Sequence, residues 1–340
     1  MNSLPLLPTT VVGSHGKPGW WHVCKDLHAR GDWGPYDLEE LLSDAVDVAI
    51  LDQERAGVDI ITDGESRRLD GYVDGYYDSI DGIRALPVAR KAGPWGYDQQ
   101  TRYEAIGKIQ APAGLGIVQE FAYLRDHTQK ATKVTCAGPL TFGSRIRPNN
   151  VYKDTVEIAE AFAHVINAEF KALVEAGATF LQIDEPARGN VSGKEMARLF
   201  NLATEGVTAK LAFHICFGNR FGRARFKRSY SDYFPGVLEA RTDQFVLEYA
   251  SREMAEIEKW QEWHDGRELG AGIVDVKSFH PESPDDVAER LRTVLRYAAP
   301  EKVYINPDCG FGWSPRNMAV GKLQAMVAGT TIVRQELTGG

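Results

Sequence analysis

Four residues of this chain carry metal-binding side chains at telling positions. His214 and Cys216 stand one residue apart in His214-Ile215-Cys216. Glu248 ends the apolar run Phe245-Val246-Leu247, and Cys309 lies in Asn306-Pro307-Asp308-Cys309-Gly310. An imidazole, two thiols and a carboxylate are donors that a tetrahedral zinc ion accepts. Side chains alternate along an extended chain, so His214 and Cys216 project to the same side. Two thiolates and one carboxylate outweigh the charge of a divalent cation by one. Such a centre is a poor Lewis acid toward water and is better suited to holding a second thiol as thiolate, the nucleophilic form. With four protein ligands in place, a substrate thiol has to displace one, most readily Glu248, or expand the coordination. A single buried cysteine is ordinarily a small hydrophobe. That reading is kept for Cys136, inside an apolar run, and Cys24 is taken as an incidental loop thiol.

Each of the four residues ends or follows a short apolar segment, and such segments recur along the whole chain. Strands are expected at 9–14, 59–65, 133–138, 179–186, 210–217, 244–250, 269–277 and 303–310. Between them, apolar residues recur every three or four positions, as in Leu38, Leu41, Leu42, Ala45, Val46 and Ala49, or Ile158, Ala161, Phe162, Val165, Ile166 and Phe170. That period marks amphipathic helices over 38–56 and 156–176. Pro281 to Asp286 supplies proline and acids, the usual start of another helix. Strict alternation of strand and helix implies a parallel sheet covered on both faces. Eight such units favour a closed (β/α)₈ TIM barrel over an open sheet, so residues 1–340 are expected to form one catalytic domain. Chemistry in such barrels gathers at the C-terminal ends of the strands, where the four donors fall. The stretch from about 70 to 113 is rich in Gly, Tyr, Asp and Pro and lacks periodicity. It is expected to be an insertion after the second strand, serving as a lid, a binding loop or an interface arm.

Composition removes several classes of function. The formal net charge of −8 disfavours nucleic acid and anionic membrane as partners. No Gly-x-Gly-x-x-Gly stands at a strand-to-helix turn and no Walker A sequence is present. The N-terminus has no basic segment followed by an apolar core, and no apolar run is long enough to cross a bilayer. A cytoplasmic protein is therefore expected. Four cysteines in 340 residues do not make a disulfide scaffold.

With these residues in view, the chain resembles the catalytic zinc barrel of the cobalamin-independent methionine synthases over nearly its whole length. The resemblance rests on Thr10-Val11-Val12-Gly13-Ser14, Asp63-Gly64-Glu65, Ala137-Gly138-Pro139-Leu140-Thr141, Leu181-Gln182-Ile183-Asp184-Glu185-Pro186-Ala187, and the His214, Glu248 and Cys309 motifs. It implies that His214, Cys216, Glu248 and Cys309 bind Zn²⁺ and that zinc binds the sulfur of homocysteine. It implies further that Glu65 and Asp184 hold the substrate ammonium and that Ser14 lies where its carboxylate is held. A carboxylate suits an ammonium, and a hydroxyl with backbone N–H suits a carboxylate. Two structural alternatives stand beside this: a salt bridge from Glu65 to Arg67 or Arg68, and a helix-capping turn at Asp184-Glu185-Pro186.

The chain also departs from the pattern. Full-length members carry an additional N-terminal half, and some shorter core members take methyl from a corrinoid. The expected donor is thus a methyl-folate or a methyl-corrinoid, free or carried on a protein. Where the family has a proton-transferring histidine, this chain has Lys277, with His280 three residues on, and both are candidate proton donors. Cys216 is followed by Arg220, Arg223, Arg225, Lys227 and Arg228. This run is either a solvated face or an anchor for an anionic substrate, as the sulfonate-recognising epoxyalkane:coenzyme M transferases would need. Trp20, Trp21 and Trp33 are candidates for lining an apolar donor or for plain core. The leading expectation is homocysteine S-methylation giving methionine. The alternatives are another thiol alkylation, such as coenzyme M alkylation or aryl methyl ether demethylation, and a non-catalytic zinc- or thiol-binding protein. The metal-free uroporphyrinogen decarboxylases form a related barrel family that stoichiometric zinc would disfavour.

Overall fold

A ring of parallel strands runs through the molecule. The computed structural model describes residues 4–69, 73–87, 101–186, 190–219, 222–224 and 226–339. Phe180–Asp184, Lys210–Ile215, Gln244–Glu248, Glu268–Val274 and Val303–Pro307 pair side by side, with Val134–Ala137 on the far edge. Thr9 bridges Ile305, Thr10 bridges Ile60, and Ile60–Ile61 pairs with Ala131–Thr132, which leads into Val134–Ala137. The pairings return to their starting strand, so the sheet closes into an eight-stranded barrel wrapped by helices.

Two apolar clusters follow from the closure. Val12, Ile60, Phe180, Ala212, Val246 and Tyr304 fill the inside of the ring. A much larger cluster, including Ile183, Phe213, Phe245, Leu247 and Ile305, packs the outer face of the strands against the helices. Neighbouring residues of one strand therefore serve different cores, the two-residue period of a pleated strand. Helix Thr155–Glu175 starts where the Asp154 carboxylate accepts the N–H groups of Val156 and Glu157. Pro284–Val294 starts with a reciprocal box between Ser283 and Asp286. Pro35–Ala56 begins three residues earlier than its apolar period suggests. Asp37 accepts the Gly34 N–H at 2.8 Å and so extends the first turn.

The second strand is shorter than expected, only Ile60–Ile61. Beyond it a side chain stands in for a neighbouring strand. The Gln53 amide donates to Thr62 O at 2.8 Å and accepts the Thr62 N–H at 3.0 Å, and the Thr62 hydroxyl donates to Gly13 O at 2.8 Å. The chain then turns through Gly64 and Glu65 with φ of +67° and +52°. A non-glycine residue held in this left-handed region is a sign of a functionally imposed conformation.

Of the expected insertion, residues 70–72 and 88–100 lie outside the described residues. Its described part holds a 3₁₀ turn, Asp74–Ser79, and an antiparallel pair, Asp81–Ala85 with Tyr103–Gln110; the latter strand also pairs with Ile146–Arg147. Tyr77 anchors it by donating to Phe142 O at 2.6 Å and stacking on Tyr103. No described helix is long and apolar enough to cross a membrane.

Candidate metal and substrate site

His214 lies in the last turn of pleat of the fifth strand, Lys210–Ile215, with Cys216 just beyond it. Cys309 lies two residues past the eighth, Val303–Pro307. Strand neighbours in a closed barrel bring these ends to one mouth. The candidate donor atoms of His214, Cys216 and Cys309 all lie within 4.8 Å of one another. His214 Nδ1 donates to Val246 O at 3.0 Å, which fixes the tautomer and leaves Nε2 buried with no hydrogen-bond partner. A buried nitrogen lone pair beside two sulfurs is costly unless something fills it, and a thiophilic cation does so. The two sulfurs are 3.5 Å apart. Sharing one thiol proton between them pulls Cys216 well below the usual thiol range and pushes Cys309 well above it. Burial would lower the His214 imidazole, but the neighbouring Cys216 sulfur raises it. The set fits a zinc-type ion.

Glu248 ends the sixth strand, Gln244–Glu248, fully buried at the same mouth, yet it is not one of the clustered donors. Its Oε1 is 2.9 Å from Lys277 Nζ and accepts from Ser251 Oγ at 2.8 Å, while Oε2 accepts the Phe217 N–H at 3.2 Å. Burial alone would lower the Lys277 ammonium; the carboxylates of Glu248 and Asp308 hold it above its ordinary range. Asp308 fixes the following turn by accepting the N–H groups of Tyr249 and Ala250, both at 2.9 Å, and of Ser251 at 2.6 Å. This close approach requires Gly272. A Cβ there would stand 2.6 Å from Leu247 O and 2.9 Å from Asp308 Cα.

Ser14, Glu65 and Asp184 share a cavity of about 320 Å³ with His214, Cys216 and Cys309. Glu65 is heavily engaged. Its carboxylate accepts from the Ser14 hydroxyl and from Thr135 Oγ1 at 2.8 Å, and pairs with Arg68 Nη1 at 2.7 Å. Arg68, buried, also holds Glu120 at 3.0 Å and Thr135 O at 2.8 Å. The Arg68 salt bridge weighed from sequence thus exists, and the Ser14 proton is committed to Glu65. The carboxylate of Asp184, at the end of Phe180–Asp184, accepts a hydrogen bond from Gln182 Nε2 at 2.6 Å. Burial pushes its carboxyl up to about 7. A partner cation would bring it back down.

Several lining residues lacked any assignment from sequence. Lys17 follows Ser14 in the loop after the first strand and donates to Gly64 O at 3.0 Å and Glu65 O at 2.8 Å. His22 and Lys25 come from helix Gly19–Ala29, which also brings the anticipated Trp21 to the wall, and Arg145 and Trp313 line the same cavity. Trp21 also packs on Leu41 and Ala45, so it is at once part of a small core and part of the cavity wall; Trp20 is exposed and Trp33 packs at the edge of that small core. The signal for Lys17 was its place in the loop beyond strand one. Arg145 had none, because it reaches the cavity from the far side of the insertion.

Other candidates lie elsewhere. His280 is exposed and is not among the lining residues; its carbonyl accepts from Lys322 Nζ at 2.7 Å. Of the basic run, Arg220 and Arg225 lie outside the described residues. Arg223, Lys227 and Arg228 are exposed and absent from the cavity wall; Lys227 pairs with Asp232, and Arg228 donates to Ser251 O at 2.7 Å. Cys136 is buried core whose thiol donates to Ala137 O at 3.3 Å. Cys24 lies within helix Gly19–Ala29 rather than in a loop, and packs beside Trp21.

Residues 7–331 match the family model described as cobalamin-independent synthase, catalytic domain. The chain is 37% identical to a methionine synthase of Saccharolobus solfataricus, covering 99% of this chain and 98% of that protein. It is 35% identical to a methionine synthase of Sulfurisphaera tokodaii, covering 99% and 95%. A B12-independent methionine synthase from Shewanella sp. W3-18-1, solved in complex with selenomethionine, superposes with a TM-score of 0.82 at 26% identity, over 98% of this chain and all of that one (100%).

Proposed function

This chain belongs to the family of cobalamin-independent synthase catalytic domains, and from that premise we propose that it transfers a methyl group to the thiol of homocysteine, giving methionine. One observation carries the reading. Three donors suited to a thiophilic ion, one with an unpartnered buried nitrogen, share a cavity with a carboxylate suited to an ammonium. The selenomethionine in the Shewanella protein is the selenium analogue of the product.

His214, Cys216 and Cys309 would hold zinc, with Glu248 as the fourth ligand once it leaves Lys277. When bound, zinc supplies the positive charge that keeps a substrate thiol deprotonated near neutral pH. Asp184 pairs with the substrate ammonium and so sets the distance from amine to sulfur. Glu65, already engaged by Ser14, Thr135 and Arg68, shapes the wall and adds negative potential. Trp21, Leu69, Val73 and Trp313 exclude water along the approach of the donor. The thiolate sulfur forms its bond to the methyl carbon as the donor's bond to that carbon breaks, and the pair of electrons leaves with the donor. Fixing both partners in line supplies much of the rate. Lys277 does not line the cavity. Its role in this reading is to balance the Glu248 charge, and no proton transfer is assigned to it or to His280.

The test is methionine formation from homocysteine by the zinc-loaded protein with methyl-folate and with methyl-corrinoid, each offered separately. Turnover with either supports the reading and names the donor class. Alkylation of coenzyme M in preference to homocysteine would overturn it; none of the described basic-run residues lines the cavity to favour a sulfonate. Asp184→Asn is expected to raise the homocysteine KM about 10- to 100-fold, the worth of one charge-assisted hydrogen bond. It should leave 4-mercaptobutyrate, which has no amine, nearly unaffected. Equal losses for both thiols would show a general disruption instead.

A further inference from the structure

The inside of the barrel holds a charge that the reaction above leaves idle. Lys133 leads into strand Val134–Ala137 and is fully buried, with its backbone N–H donated to Ile61 O at 2.9 Å. Its side chain runs into the ring: the ammonium stands 5.6 Å from the ring centroid of Phe180, a member of the inner apolar cluster. Nζ has no hydrogen-bond partner among the described residues. Burying an ammonium in this way is costly, and packing alone would be better served by an apolar side chain of similar volume. Lys210, over the same Phe180 ring at 4.9 Å, has a carboxylate of its own in Glu268. For Lys133 the carboxylate that acts is Asp184, further along the barrel. Burial lowers the Lys133 ammonium to about 7, Asp184 opposes that fall, and Lys210 adds to it.

Gln182 links the two positions. Val134 pairs with Leu181 and Thr135 with Gln182, so Lys133 is the diagonal neighbour of Gln182 on the inward face, at a separation that a long side chain can span. Gln182 Nε2 donates to Val12 O at 2.8 Å and to Asp184 Oδ1 at 2.6 Å, while its Oε1 is buried with no hydrogen-bond partner among the described residues. The amide therefore commits its N–H groups to the first strand and to Asp184. Its negative end and the Asp184 carboxylate are left for the Lys133 charge to act on.

We infer that Lys133 is a positioning residue for Asp184: its ammonium is the counter-charge inside the barrel for the Gln182–Asp184 arm, and it keeps that carboxylate fixed and available to the substrate ammonium. Lys133 is not on the cavity wall, so it acts through Gln182 and Asp184 rather than by touching the substrate. This rests on the homocysteine reading above.

The test is calorimetric binding of homocysteine and of 4-mercaptobutyrate, which lacks only the amine, to the zinc-loaded wild type, Lys133→Met and Lys133→Gln. Both variants are expected to bind homocysteine about 2- to 30-fold more weakly, the range for a residue that acts through others, and to bind 4-mercaptobutyrate as wild type does. In an Asp184→Asn background, Lys133→Met should weaken homocysteine no further. In turnover the loss should fall on KM with kcat kept. If wild type binds neither thiol, or binds both alike, the homocysteine reading fails and takes this inference with it. If wild type prefers homocysteine and a folded variant keeps that preference in full, or weakens both thiols equally, the inference alone is overturned. Should neither variant fold, as judged by its melting transition, nitrogen NMR of the Lys133 side chain decides. The ammonium should lose its proton at lower pH in Asp184→Asn than in wild type, and identical titrations overturn the inference.

Discussion

Cys309→Ser is expected to lose zinc and activity together, with metal affinity falling by more than about 100-fold. Removing even an outer-shell partner of a metal ligand commonly costs about 10- to 100-fold, and here a ligand itself is replaced by a weaker, harder donor. The structure sharpens this expectation. With 3.5 Å between the sulfurs, Cys216 and Cys309 share a proton, and its loss on metal binding depends on both thiols. Serine cannot share the anion in the same way, so Cys216 should return toward an ordinary buried thiol. Zinc analysis by mass spectrometry on the purified variant, beside a methionine assay, measures both effects. Full zinc content with full activity would remove Cys309 from the ligand set and with it the core of the functional proposal.

Lys277→Met is expected to destabilise the metal-free protein strongly and the zinc-loaded protein much less. The Lys277–Glu248 pair, 2.9 Å apart, is almost fully buried. Removing one partner of such a pair typically costs about 3–5 kcal/mol, because the remaining charge is stranded. Zinc offers Glu248 a replacement cation, so metal should restore most of the lost stability. Glu248→Gln added to Lys277→Met should restore part of it without metal, since a neutral amide needs no counter-charge. Chemical denaturation of the wild type, Lys277→Met and the double variant with and without zinc checks this. Equal destabilisation with and without zinc would mean that Glu248 never reaches the metal.

How far the sequence led depended on how local each signal was. The strands and their shared mouth were legible because every barrel strand is an apolar run, and an extended chain fixes which side His214 and Cys216 face. The helix periods were equally local, apart from ends set by caps such as Asp37. The short second strand was not legible, because a glutamine from a helix replaces a strand there. Glu248 shows the same limit. Its residue type and position make it a candidate ligand, but its present partner, Lys277, comes from a different loop, and only folding reveals the ion pair. Lys17 was visible as a residue but not as part of the cavity wall, because its placement depends on the carbonyls of Gly64 and Glu65 in a distant turn.

The clip formed by Gln53 on Thr62 reaches further than the sheet edge it completes. Thr62 holds Gly13, whose neighbour is Ser14, and Thr62 Oγ1 also accepts the Gly64 N–H at 3.2 Å. One amide on helix Pro35–Ala56 therefore sets the spacing between two loops that line the cavity. In a lineage of such proteins, that glutamine would be inherited with the specificity of the pocket rather than with the packing of its helix. A change in substrate range could thus begin at a residue that no ligand ever touches.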